Sequence, residues 1–172
     1  MNIHKLRLPK EPSPMSSQLQ LNDLVGFKVR QLAVRIANTM ARSYSRTHGI
    51  GIPSFRIILR LGILGSASLV GLADASGMDP AVVSRTVEKL EAQGLLNRGW
   101  HPEDKRRRVL SLSKVGKKLH AQLLPIAYEF QDELVEGFNE KETTELNRIL
   151  DLLLVRIDEI QTRQIEEDQN AA

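Results

Sequence analysis

The chain contains no cysteine, which excludes a disulfide scaffold, a zinc finger, an iron–sulfur site and a thiol switch. Aromatics are few: one Trp, two Tyr and four Phe in 172 residues. No apolar run reaches the roughly 18 residues that a membrane-spanning helix requires, so no membrane partner is expected. The start of the chain holds Pro9, Pro12 and Pro14 and lacks the apolar core of a signal peptide. It predicts a cytoplasmic protein with a mobile arm over residues 1–20. What is present, 41% hydrophobic and 26% charged residues, suits one globular domain with a real core.

A net charge of +3 conceals segregation. Residues 1–77 carry ten basic and three acidic residues, net +7; residues 78–120 carry ten and five, net +5; residues 121–172 carry four and thirteen, net −9. A cationic front and an anionic rear suit a polyanionic partner met by the first part of the chain.

Apolar residues at Val25, Val29, Leu32, Ile36 and Met40 recur in steps of 3 and 4, predicting a long amphipathic helix from Leu21 to about His48. Pro53 suits the first turn of a short helix through about Leu61. Ser68 can cap a helix over Leu69 to Ala75 that Gly77 breaks. Asp79 followed by Pro80 starts another helix over 80–93, and Gly94 suits its left-handed C-terminal cap. Two short helices joined near Gly77 form a helix-turn-helix. Residues 95–112 read as a β-hairpin with a charged tip. Ser113 caps a further long helix, which Pro125 should kink or break. The last helix runs from about Glu140 to beyond Gln164, with Leu146, Leu150, Leu153, Ile157 and Ile160 in steps of 4, 3, 4 and 3. Apolar residues also lie on its neighbouring faces, which calls for cover on more than one side and points to a subunit interface.

Chemistry-bearing patterns are sparse. His4, His48, His101 and His120 have no partner at metal-ligand spacing, so no metal and no cofactor are expected. The Gly65-Ser66-Ala67-Ser68 stretch fails the pattern of a nucleophile elbow, and no phosphate-binding glycine loop exists, so an enzyme is not expected.

The helix after Asp79 combines an apolar stripe, Val83, Val87 and Leu90, with a surface of Ala81, Ser84, Arg85, Glu88 and Lys89. Small and basic residues near an exposed helix start can enter a DNA major groove. The hairpin turn adds Lys105, Arg106, Arg107 and Arg108 directly after Asp104. On a projecting wing these cations can reach a flanking minor groove and its phosphates, while Asp104 is expected to pair with a neighbouring arginine and hold the turn. A winged helix used as a protein–protein module is the alternative. Paired basic elements favour double-stranded DNA over it.

Residues 53–113 resemble the winged-helix core of the multiple antibiotic resistance regulator (MarR) family. The matching residues are Pro53 to Leu59, Leu72-Ala73, Asp79 to Glu91, Gly94-Leu95-Leu96, Arg98, and Asp104-Lys105-Arg106 leading to Leu112-Ser113. The resemblance implies a mainly α fold with a small β-hairpin wing and a single domain over 21–172. Within it, the DNA-binding lobe covers about 53–113 and the dimerisation helices about 21–48 and 114–167. It further implies a homodimer that reads a palindromic operator, usually as a repressor, and leaves DNA when a small effector, often an aromatic carboxylate, binds. Ser84 and Arg85 then take the recognition contacts and Arg106 the wing-tip contact. Leu146, Leu150, Leu153, Ile157 and Ile160 fall to dimerisation. Arg30, Arg35, Tyr44, His48 and Phe55 are the ligand-cleft candidates.

Overall fold

The computed structural model describes residues 23–101 and 103–171; the expected arm over 1–20 and the expected helix start at Leu21 lie outside them, and the first helix begins at Val25. The chain forms two compact units, the first ending at Ile126 and the second starting at Ala127. Element order is α1 (Val25–His48), α2 (Ile52–Leu64), β1 (Ser66–Ala67), α3 (Leu69–Ser76), α4 (Pro80–Ala92), β2 (Leu96–Trp100), β3 (Arg108–Leu112), α5 (Lys114–Leu134) and α6 (Glu140–Ala171).

Local chemistry sets the boundaries of the helix-turn-helix. Ser68 Oγ accepts the Gly71 N–H at 3.0 Å and starts α3. Asp79 Oδ1 accepts the N–H groups of Ala81 and Val82 at 2.8 and 3.2 Å, with Pro80 preset for the first turn of α4. Such a cap contributes about 1 kcal/mol. Both helices end alike. Met78 N–H reaches Ala73 O while Gly77 N–H reaches Asp74 O, and Leu95 N–H reaches Leu90 O while Gly94 N–H reaches Glu91 O. These closures place Gly77 and Gly94 at φ +59° and +69°, where a side chain would be strained.

The core of the first unit lies among α2, α3, α4 and the sheet. Ile57, Ile58, Leu61, Leu72, Val83, Val87 and Leu90 are fully buried there, joined by Leu96, Leu110 and Leu112 from the strands. Each contributes about 1.5–3 kcal/mol by leaving water. Val83, Val87 and Leu90 therefore fix which face of α4 turns inward.

The expected hairpin forms from β2 and β3, paired from Leu96↔Leu112 to Trp100↔Arg108. A third strand, not expected, joins it: β1 pairs antiparallel with β3 (Ser66↔Ser111, Ala67↔Leu110), giving the order β1-β3-β2. A two-residue strand has too little periodicity to show in sequence; pairing with distant β3 creates it. The helix after Pro53 extends to Leu64 rather than Leu61, because Gly65, at φ +72°, is the residue that stops it.

The start of α5 is pinned to the α4–β2 turn. Ser113 Oγ donates to Gly94 O at 2.6 Å and accepts the Gly116 N–H at 3.0 Å, while Ser113 N–H donates to Leu95 O. A Cβ on Gly116 would lie 2.0 Å from Leu95 O, so backbone meets backbone here. Gly62 of α2 is the seat of the His120 ring, whose Nε2 is buried without a partner among the described residues. Of the two outcomes expected at Pro125, the break does not occur: α5 continues through it as one helix, with Gly116 and Leu123 buried.

In the second unit, α6 runs 32 residues and starts with a capping box. Asn139 Oδ1 accepts the Glu142 N–H at 3.0 Å, and the Glu142 carboxylate accepts the Asn139 N–H at 2.9 Å.

Candidate nucleic-acid interface

With Val83, Val87 and Leu90 turned inward, α4 presents Ala81, Arg85, Glu88 and Lys89 to solvent, and Ser84 is half-buried at their edge. Arg85 folds along its own helix, its Nε donating to Ala81 O at 3.3 Å. One flank of α4 meets the start of α2. Val82, Arg85, Thr86 and Lys89 face Gly51, Pro53 and Ser54 across a groove of about 260 Å³. Cations beside the first backbone N–H groups of a helix attract a phosphate oxygen.

The other flank is tied to the wing. Arg98 on β2 donates from Nε and Nη2 to the two carboxylate oxygens of Glu91 at 3.0 and 2.8 Å. That bidentate bond holds the Glu91 carboxyl below its ordinary range and raises the Arg98 guanidinium further. Ser84 Oγ donates to Glu88 Oε1 at 3.4 Å, so this side of α4 carries two carboxylates and the α2 side two cations.

In the wing, Asp104 Oδ1 accepts the Arg106 N–H at 3.0 Å, and Arg107 N–H donates to Asp104 O at 3.0 Å. Asp104 thus holds the turn through backbone N–H groups rather than through an arginine side chain. The two-residue reach of an aspartate makes its own turn the nearest donor. Lys105, Arg106 and Arg107 are exposed at the tip. Arg108 is not at the tip: it pairs with Trp100 across the strands, its guanidinium 4.7 Å from the ring centre.

The cleft candidates separate. Tyr44 and Phe55 stack with ring centres 4.0 Å apart and planes 5° from parallel. Burial pushes the Tyr44 phenol above its ordinary value, against a smaller pull downward from Arg56. Arg30 and Arg35 are exposed and line a shallow groove on α1 with Phe27, Lys28, Gln31 and Val34. Nine residues of helix, about 13 Å, separate even Arg35 from Tyr44. His48 is half-buried at the end of α1. The cations beside the aromatic stack are instead Arg56 and Arg60, one turn apart on α2. They line a groove of about 470 Å³ with Phe55, Leu59, Ile63, Ser76 and Gly77.

Known proteins resemble this chain in sequence and fold. The sequence profile of the MarR family matches residues 50–107. A MarR/EmrR family transcriptional regulator from Acinetobacter sp. ADP1, known as a crystal structure, is 30% identical, with 82% of this chain and 99% of that one aligned at a TM-score of 0.77. The chain belongs to the MarR family. It is a DNA-binding transcriptional regulator built on a winged helix. The HTH-type transcriptional regulator BilQ of Clostridium symbiosum is 28% identical over 112 residues, 65% of this chain and 78% of that protein. The Bordetella bronchiseptica regulator BpsR, whose DNA binding is regulated by 6-hydroxynicotinic acid, shares the fold at 23% identity and TM-score 0.68, over 78% of this chain and 96% of that one.

Two features of this MarR-family chain escaped the sequence reading. The Glu91–Arg98 bond joins residues seven apart across a helix end and a strand, a spacing with no local signature. The i, i+4 pair Arg56 and Arg60 was visible as a pattern. Its meaning depends on α3 closing the far side of the groove with Ser76 and Gly77.

Proposed function

We propose that this MarR-family regulator is a homodimeric repressor of palindromic operators that leaves DNA when a small organic acid binds. The observation that carries it is the outward face of α4 lying in the same lobe as a wing whose tip bears only cations beyond Asp104. In this reading Ala81 and Ser84 permit close approach to the groove. Arg85 and Lys89 take bases or phosphates beside the α2 start, and Lys105, Arg106 and Arg107 enter the flanking minor groove. Arg108 acts through Trp100, by stiffening the wing.

Dimerisation is supported by what one chain leaves in water. On α1, Val25, Val29 and Leu32 are exposed; on α6, so are Leu146, Leu150, Leu153 and Ile157, with Ile160 half-buried. A second copy is the partner that covers such stripes at no cost in specificity. The lobe is then about residues 53–113, and the dimerisation helices are α1, α5 and α6.

For the effector, the Phe55–Arg56–Arg60 groove replaces Arg30 and Arg35 as the seat. Two guanidiniums grip a carboxylate, and the apolar wall takes a flat ring. The fold shared with BpsR supports that chemical class. A gel shift with DNA flanking its own gene tests the proposal. The dimer retards one segment, aromatic carboxylates release it, and the double variant Arg56→Ala/Arg60→Ala stays bound when they are added. Retardation of no segment above random DNA would overturn it.

A further inference from the structure

We infer that Glu88 reads a cytosine in each operator half-site. This rests on the proposal above that α4 lies in the major groove. The strip of α4 opposite its buried stripe is Ala81, Arg85, Glu88 and Ala92, in steps of 4, 3 and 4. Alanine at both ends lets the helix backbone come close to the bases. The two long side chains on that strip are one cation and one anion, and they diverge. Arg85 bends back toward Ala81 O and, with Lys89, lines the groove at the α2 start, on the side where a phosphate strand would pass. Glu88 lies toward the β2 side, where Ser84 Oγ donates to its Oε1 at 3.4 Å.

Glu88 forms no salt bridge among the described residues. Arg98, a guanidinium on that side, gives its Nε and Nη2 hydrogens to Glu91 at 3.0 and 2.8 Å and meets Glu88 only through its charge. An unpaired carboxylate pointing into a polyanion repels every phosphate near it, so it weakens binding unless a base edge answers it. Base chemistry narrows the answer. Guanine offers only acceptors, O6 and N7, and thymine offers the O4 acceptor and a methyl group. Adenine places its N7 acceptor beside its N6 donor. Cytosine alone presents an amino donor, N4, and no major-groove acceptor of its own. The carboxylate therefore favours cytosine over the other three, and the long Ser84 contact inclines it toward the β2 side. Arg85 and Lys89 supply attraction; Glu88 supplies rejection, which is how specificity exceeds affinity.

The test is selection of bound sequences from a pool of random duplexes by the full-length wild type, Glu88→Gln, Glu88→Ala and Arg85→Ala. Position 88 is exposed on a helix held by its opposite face, and matching circular dichroism spectra check that each variant folds. Wild type is expected to select a half-site with one position fixed as cytosine, preferred by about 5- to 150-fold over the other bases. Glu88→Gln should move that position to adenine, whose N6 and N7 suit an amide. Glu88→Ala should accept any base there while binding random DNA more tightly. If both Glu88 variants select the wild-type sequence while Arg85→Ala does not, α4 reads bases without Glu88, and the inference falls alone. If no variant changes the selected sequence, it falls together with the placement of α4.

Discussion

Arg98 of the wing holds both carboxylate oxygens of Glu91 on the recognition helix, at 3.0 and 2.8 Å. The bond ties α4 to β2, the elements proposed above to meet DNA, so its loss should affect both stability and binding. Both partners retain contact with water, which screens the pair, and Glu91→Gln should cost about 0.5–1 kcal/mol at neutral pH. The pH dependence has a definite sign. The Glu91 carboxyl is held below its ordinary range, so its stabilisation is present above the unfolded-state value and is lost as pH falls through the folded one. Urea unfolding of wild type and Glu91→Gln should differ at pH 7 and converge in the acid range below 4.5. A difference that persists unchanged in acid would assign the effect to something other than this ion pair.

Two glycines at close contacts should respond differently to a methyl group. On Gly116 the added Cβ meets the Leu95 carbonyl oxygen at 2.0 Å, and neither backbone can move without opening the α4–β2 turn. Gly116→Ala should cost about 2–3 kcal/mol and lower Tm by about 5–10 °C. On Gly62 the obstacle is the end of the His120 side chain, which can swing aside. Gly62→Ala should therefore cost less, and Gly62→Ala with His120→Ala should recover part of the loss. Thermal unfolding of the three variants decides it.

The wing gives a salt-dependent prediction. If six to ten phosphates are gripped per dimer, affinity should fall by about 10³ to 10⁵ between 50 and 200 mM salt. Arg106→Ala should weaken binding more than Lys105→Ala, because the Asp104 bond to the Arg106 N–H fixes where that side chain leaves the turn. Arg108→Ala should act differently, by freeing the chain's one Trp. Its emission should shift, with only a small change in salt slope. Titrations at two salt concentrations, followed by Trp100 fluorescence, separate these roles.

Leu150→Asp with Leu153→Asp places two charges on the apolar stripe of α6. If a second copy covers that stripe, burying them unpaired should abolish the dimer. Sedimentation should then show a monomer for the double variant and a dimer for wild type at micromolar concentration. A monomeric wild type would contradict the assembly.

The helix-turn-helix was legible from sequence because its signals are local. Ser68, Gly77, the Asp79-Pro80 pair and Gly94 act on backbone groups within five residues of themselves, and Val83, Val87 and Leu90 mark the inward face by spacing alone. The basic wing tip was legible for the same reason, since consecutive residues carry it. Tertiary structure decided whatever depends on residues far apart in the chain. Strand β1 exists because Ser66 finds Ser111, and α5 begins where it does because Gly116 lies against Leu95. Arg108 is a tip cation in sequence and a partner of Trp100 in space, because strand register sets them opposite each other. Arg30, Arg35, Arg56 and Arg60 are equivalent as letters. Packing of α2 against α1 and α3 brings the last two to the Tyr44–Phe55 stack and leaves the first two on the open face of α1. Helix periodicity states which residues share a face; only the elements packed against that face determine what it meets.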